Sequence, residues 1–138
     1  PLSGLISTYK LDGVFKNIEM PLVSVIGDME LYGVKLDLDL LSRLSENLAV
    51  ELAEISSCSF ELVGEEFNLN SPKQLADILF VKLKIPTKGL KRTKSGFSTD
   101  SSVLEKIAHL HEVPKHLLRY RLLFKLKSTY IDALPSQV

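Results

Sequence analysis

The run Lys91-Arg92-Thr93-Lys94-Ser95-Gly96-Phe97-Ser98-Thr99 places three cations, four hydroxyls and a glycine within nine residues. Ammonium and guanidinium groups supply charge, hydroxyls supply adaptable hydrogen bonds, and a glycine lets the backbone approach a ligand closely. That combination suits phosphate oxygens better than it suits a merely soluble surface. Lys82 to Thr99 holds six Lys or Arg and no acid, and Lys115 to Ile131 holds five more, again without an acid. Ten of the seventeen acids fall instead between Asp28 and Glu66, so a formal net charge of zero conceals an uneven distribution. The plain alternative is a solvated, lysine-rich loop.

A second candidate lies in Asn68-Leu69-Asn70-Ser71-Pro72-Lys73-Gln74, where polar amides precede a helix start. Free N–H groups and the helix dipole favour an anion there. Asn70 and Ser71 would equally serve as plain caps. Ser98-Thr99 opens another helix directly after the basic run, giving a second possible anion site. Arg121, Lys125, Ser128 and Asp132 step by four, three and four, and so share one polar stripe of a helix. Phe97 is the one aromatic of the basic run and could be its hydrophobic anchor. No Arg/Asn cluster sits on an exposed recognition helix, so readout of base sequence is not implied.

Other constellations carry less chemistry. Asp28 with Glu30, and Asp37 with Asp39, are two residues apart, so on a helix they diverge by about 200° and cannot share an ion. His109, His111 and His116 lack a Cys or second carboxylate at ligand spacing for zinc. Ser98 and the other hydroxyls have no His/Asp arrangement to activate a nucleophile. Phosphate-loop and dinucleotide glycine patterns are absent. No catalytic set is legible, and no cofactor is expected.

The elements that must position these residues are helical. Asn17 to Leu31 carries Leu22, Val25, Ile26 and Met29 on one face, and Gly33 is placed to end that helix in a left-handed conformation. Val34-Lys35-Leu36 reads as a short extended link. Asp37 is an N-cap for a long helix to about Val63, with Leu41, Leu44, Leu48, Leu52, Ile55 and Leu62 at helical spacing. A helix of that length needs a partner. Ser71 as N-cap, Pro72 at the first helical position and Gln74 completing a capping box start a third helix, with Leu75, Ile78, Leu79 and Leu83 as its buried stripe. A connection from about Ile85 to Phe97 follows. Ser98 or Thr99 then caps a short helix carrying Val103, Leu104 and Ile107, and Pro114 begins the last one, with Leu117, Leu118, Leu122, Leu126 and Tyr130 apolar. No strand pattern competes. The expected fold is all-α: two long antiparallel helices, in which Leu44, Leu48, Leu52, Leu118, Leu122 and Leu126 pack together, with two shorter helices and a basic loop at the tip.

Bulk properties agree with one such domain. The chain has 138 residues, 45% hydrophobic and 25% charged, as in ordinary soluble domains. No apolar run approaches the roughly 20 residues of a membrane span. One cysteine, Cys58, excludes an internal disulfide and fits a reducing compartment. The start at Pro1 without Met, and the end shortly after Leu134-Pro135, are expected of a piece of a longer protein.

At this point the motifs carry a resemblance. Ile18-Glu19-Met20-Pro21-Leu22-Val23, Met29-Glu30, Gly33-Val34 and Asp37 resemble the start of the polymerase region of the bacterial DNA polymerase I family, family A. Phe67-Asn68-Leu69-Asn70-Ser71 with Lys73-Gln74-Leu75 and Leu79-Phe80, and the run 91–99 with Val103-Leu104-Glu105, are similar to that family's thumb. Tyr120-Arg121, Lys125-Leu126, Ser128-Thr129-Tyr130-Ile131-Asp132 and Leu134-Pro135 resemble the thumb's returning helix as it approaches the palm.

The resemblance implies a helical thumb over 37–132 that lies along the minor groove of a primer–template duplex and grips its sugar-phosphate backbone during replication and repair synthesis. Its implied DNA-binding residues are Asn68, Asn70, Ser71, Lys73, Lys91, Arg92, Lys94, Ser98, Thr99, Arg121 and Lys125. Residues 1–16 would end a preceding exonuclease-like domain or be added residues, 17–36 would be a linking helix and turn, and 133–138 would lead into the palm. Pro72 departs from the pattern, standing where some relatives carry a polar or basic residue. The magnesium-binding palm carboxylates and the nucleotide-binding fingers would lie beyond Val138, so this chain alone should not polymerise. The implied location is the bacterial cytoplasm, at the nucleoid, and the other implied partners are the remaining polymerase domains. The competing reading is a helical protein-interaction module.

Overall fold

The computed structural model describes residues 2–93 and 96–137. Their contacts fall into two units, Pro1–Leu36 and Asp37–Val138. In the first, α1 (Leu2–Thr8) is followed by α2 (Asp12–Val14), a π turn (Phe15–Glu19) and α3 (Met20–Tyr32), so helix begins well before the expected Asn17. Gly33 ends α3 with its N–H on the Met29 carbonyl at 2.9 Å. Its φ of +64° is the positive value that favours glycine, but its ψ of −171° turns the chain into an extended exit rather than a left-handed cap. Leu22, Val25, Ile26 and Met29 stand exposed on α3.

In the second unit α4 (Leu38–Val63) runs 26 residues, about 39 Å at the usual helical rise. Asp37 Oδ1 accepts from the Leu40 N–H at 2.9 Å, as the N-cap pattern requires. Gly64 closes the other end at φ +78°, ψ 17°, a left-handed cap that a β-carbon would strain. α5 (Pro72–Ala76) passes into a π turn (Asp77–Lys82), and α6 (Ser101–Ile107) leads to α7 (Glu112–Leu126), extended by a π turn (Lys127–Ile131) and a 3-10 turn (Leu134–Gln137).

α7 lies antiparallel to α4. Ser59 meets His116, Glu51 meets Arg119, and Ser45 meets both Lys127 and Asp132, so one number falls as the other rises. The core gathers at one end of this pair, where α5, its π turn and α6 join it: Leu75, Leu79, Leu104, Val113 and Leu117 are fully buried there. This corrects the expectation that all six leucines of the pair pack together. Leu52 is buried and Leu48 and Leu118 half-buried, but Leu44, Leu126 and Leu122 are 39%, 42% and 69% exposed. Two helices alone cover only one stripe of each other, and the third layer that would bury the rest is present at one end only.

Three further expectations change. Arg92–Thr93 (β1) and Gly96–Phe97 (β2) form a short antiparallel ladder, Arg92 opposite Phe97 and Thr93 opposite Gly96, inside the stretch read as loop. Asp100, not Ser98 or Thr99, caps α6 through the Val103 N–H at 2.9 Å. α7 begins at Glu112, where His111 Nδ1 accepts from the Val113 N–H at 3.1 Å, and Pro114 falls inside the first turn, where no N–H is needed.

Candidate nucleic-acid interface

Three separate segments meet in one open cleft of about 520 Å³. The turn before α5 brings Asn70, α5 brings Lys73, the segment after β2 brings Ser98 and Thr99, and α7 brings Arg121. Five of the eleven sequence-predicted residues thus line a common surface. Lys91 and Arg92 stand exposed at the start of the hairpin, and Lys125 is exposed one turn beyond Arg121 on α7. Lys94 lies outside the described residues.

Local chemistry explains how the chain builds this cleft. Asn68 Oδ1 accepts from the Asn70 N–H at 2.8 Å, folding the turn into an Asx loop. Ser71 Oγ accepts from the Gln74 N–H at 3.4 Å, so it caps α5 as expected. The reciprocal half of the capping box is redirected: Gln74 Oε1 accepts from the Asn68 N–H at 2.6 Å rather than from Ser71. The side-chain oxygens of Asn68 and Gln74 are thereby committed to the turn's backbone, while Asn70 Nδ2 donates to the Tyr120 hydroxyl at 3.4 Å. Tyr120, stacked on Phe124 with ring centroids 5.8 Å apart, therefore ties the turn to α7.

Phe97 is the hairpin's anchor. Its ring packs on Phe80 at 5.4 Å, and the Arg92 guanidinium sits 5.1 Å from its centroid. The ring secures the hairpin while the cation retains its charge. Among the described residues Lys73, Lys91, Arg92 and Lys125 have no salt-bridge partner, whereas Lys82, Lys115, Arg119 and Lys127 pair with Glu65, Glu112, Glu51 and Asp132. Other exposed cations among the described residues, such as Lys84, Lys88 and Lys106, also lack an ion-pair partner, so what distinguishes these four is their place in or beside the cleft.

Arg121 is partly spent on structure. Its guanidinium donates to the Thr99 carbonyl and, at 3.5 Å, to Thr99 Oγ1, pinning the end of the hairpin to α7. Burial lowers its pKa and the Asp100 charge opposes that shift. Thr99, at 5% exposed, has almost no side-chain surface left for a ligand. The anion site expected at Ser98-Thr99 is also filled from within. Asp100 caps the helix, accepts from Ser98 Oγ and Ser102 Oγ at 2.8 Å each, and lies in the cleft itself. Those hydrogen bonds, led by Ser102 and Ser98, hold its pKa below the usual carboxylate value. The pattern Asp100-Ser101-Ser102 before an apolar run is a cap signature that the adjacent hydroxyl pair obscured. Tyr120 carried no comparable signal.

The described residues thus define an all-α fold in which two antiparallel helices carry a small hairpin and a basic cleft at one end. The model of DNA polymerase family A matches residues 38–138. The chain is 47% identical over 121 residues to DNA polymerase I of Bacillus subtilis (strain 168), covering 88% of this chain and 14% of that protein. It is 43% identical over 134 residues to DNA polymerase I of Geobacillus stearothermophilus, covering 97% of this chain and 15% of that one. A solved structure, the POL domain of Pol1 from M. smegmatis in complex with DNA primer-template and dNTP, superposes with a TM-score of 0.83 at 29% identity. That match covers 95% of this chain and 23% of the other. The chain belongs to DNA polymerase family A. It spans about a seventh of the length of these relatives. Among the described residues no helix is long and apolar enough to cross a membrane.

Proposed function

We propose that residues 37–132 are the thumb of a DNA polymerase I, gripping a primer–template duplex by its sugar-phosphate backbone, along the minor groove, during replication and repair synthesis in the bacterial cytoplasm. The observation that carries this reading is the cleft, which gathers Asn70, Lys73, Ser98 and Arg121 from three segments beside the unpaired Lys91 and Arg92. The similar POL domain was solved with primer-template DNA, which supports the same kind of ligand here. Lys73, Lys91, Arg92 and Lys125 supply phosphate charge, and Asn70 and Ser98 supply polar groups at the backbone. Lys94 belongs to the same proposed set by its place in the basic run. Ser71 and Asn68 act through the turn they build, and Thr99 through Arg121.

The grip is independent of base sequence, because backbone contacts position the duplex without reading it. Nucleotide transfer, with its magnesium ions, belongs to other parts of a full-length polymerase. Among the described residues no three His, Cys, Asp or Glu side chains converge to hold a metal ion. The remaining polymerase domains are the other partners of this chain.

The test is fluorescence anisotropy on a short duplex across a salt series. Replacing Lys73, Lys91 and Arg92 by Ala should flatten the slope of log affinity against log salt by up to about 2.7, at about 0.9 per phosphate contact. Replacing Lys10, Lys16 and Lys35 removes equal charge outside the cleft and should change the slope far less. Equal effects from both triples would reduce the reading to general electrostatics. Salt-insensitive binding to another protein, with none to DNA, would favour the interaction module.

A further inference from the structure

Among the described residues, Asp100 is the one carboxylate lining the cleft, facing the Lys73 and Arg121 that the proposed grip uses. Its position is fixed. Ser98 Oγ donates to Oδ2 and Ser102 Oγ to Oδ1 at 2.8 Å each, and the Val103 N–H donates to Oδ1 at 2.9 Å. The Lys91 charge favours the ionised form of Asp100, and the Asp100 charge favours the Arg121 guanidinium. Capping alone does not call for that charge. Ser and Asn cap about as well as Asp, and this chain caps α4 with Asp37 but α5 with Ser71 and α7 with His111. A seven-residue helix also has little dipole with which to reward an acid.

We infer that Asp100 loosens the duplex grip: a fixed negative charge, set where a phosphate backbone would run, that keeps the cleft from holding DNA too tightly. The inference rests on the proposed duplex-binding role. A clamp that must release and advance after each added nucleotide gains from such a counterweight. Like charges at a few ångströms in a water-filled cleft repel by an amount that lowers affinity without abolishing it.

Three variants separate charge from capping: Asp100→Asn and Asp100→Ser keep an oxygen cap without charge, and Asp100→Glu keeps the charge. Anisotropy with a short duplex should show Asn and Ser binding about threefold to fivefold tighter at low salt, with the difference shrinking as salt screens it. Asp100→Glu, and Glu46→Gln on the exposed part of α4, should bind as the unaltered chain does. No tightening in either neutral variant, or equal tightening with Glu, would overturn the inference while leaving duplex binding in place. Absence of duplex binding by the unaltered chain would instead overturn the proposed function, and this inference with it.

Discussion

Arg121 both holds the hairpin and charges the cleft, and two substitutions pull these roles apart. Its guanidinium donates to the Thr99 carbonyl and, marginally at 3.5 Å, to Thr99 Oγ1. A hydrogen bond from a charged donor contributes about 1.5–3 kcal/mol, and half-exposure pulls this site toward the lower end. Arg121→Lys keeps the charge but loses the planar fork, so it should cost about 1 kcal/mol. In a unit of this size that is a fall in Tm of about 4–8 °C. Arg121→Ala should cost roughly 1–2 kcal/mol and also flatten the salt dependence of duplex binding by up to about 0.9. Lysine should leave that slope unchanged. Thermal melts followed by circular dichroism read the first effect, and anisotropy across a salt series reads the second. An unchanged Tm for lysine would mean the Thr99 bonds contribute nothing. An unchanged slope for alanine would mean the guanidinium is wholly spent on Thr99 and never reaches a phosphate.

Three other outcomes follow from the same geometry. Leu117→Ala, at a fully buried core position, should cost about 2–5 kcal/mol in urea denaturation, whereas Leu122→Ala, on the exposed side of the same helix, should stay within about 0.5 kcal/mol. Ser71→Ala should cost about 0.5–1 kcal/mol through its cap, with the 3.4 Å geometry setting it near the lower figure; no loss of Tm alongside weakened DNA binding would make Ser71 a ligand first. Asp132, whose pKa is lowered first by its bond to Lys127 and then by Ser45, adds stability that is complete above its unfolded value of 3.8 and is lost as pH falls through its lower folded value. The Tm difference between the unaltered chain and Asp132→Asn should therefore be present at neutral pH and shrink as pH falls below 3.8 towards the lower folded value; a difference undiminished over that range would refute the linkage.

What was legible in the sequence was whatever depends on one residue and its near neighbours. Asp37 and Ser71 each cap through a backbone N–H three residues on, so the pattern contains the whole interaction. The two long helices follow from apolar spacing, which a rigid rise per residue turns directly into a face. The partnership between α4 and α7 was legible too, because a 26-residue apolar stripe has to be covered by something. Where along the pair the core would lie was not. That depends on which end receives α5 and α6, and nothing in the spacing of Leu44 or Leu122 distinguishes them from Leu52 or Leu117.

The cleft was half legible, and the missing half is its negative side. Residue type marks a cation as able to bind phosphate, so Lys73, Lys91, Arg92 and Arg121 could be selected from composition and spacing. Whether a cation is free depends on long-range partners, and these divide the basic residues differently from the charge windows. Lys115, Arg119 and Lys127 fall in the same acid-free run as Arg121 and Lys125, yet each meets an acid that lies outside that run. Arg121 forms no salt bridge among the described residues but is held by a threonine 22 residues away. Asp100 presents the converse case. As a helix cap it is locally sufficient, so nothing in its surroundings along the chain asks for a further role. Only the folding of α5, the hairpin and α7 around one space places its charge against the cations that would hold a phosphate. The local rules that make this chain helical therefore also determine how much of its positive charge remains available, which is why the charge open to any ligand has to be read from the assembled cleft.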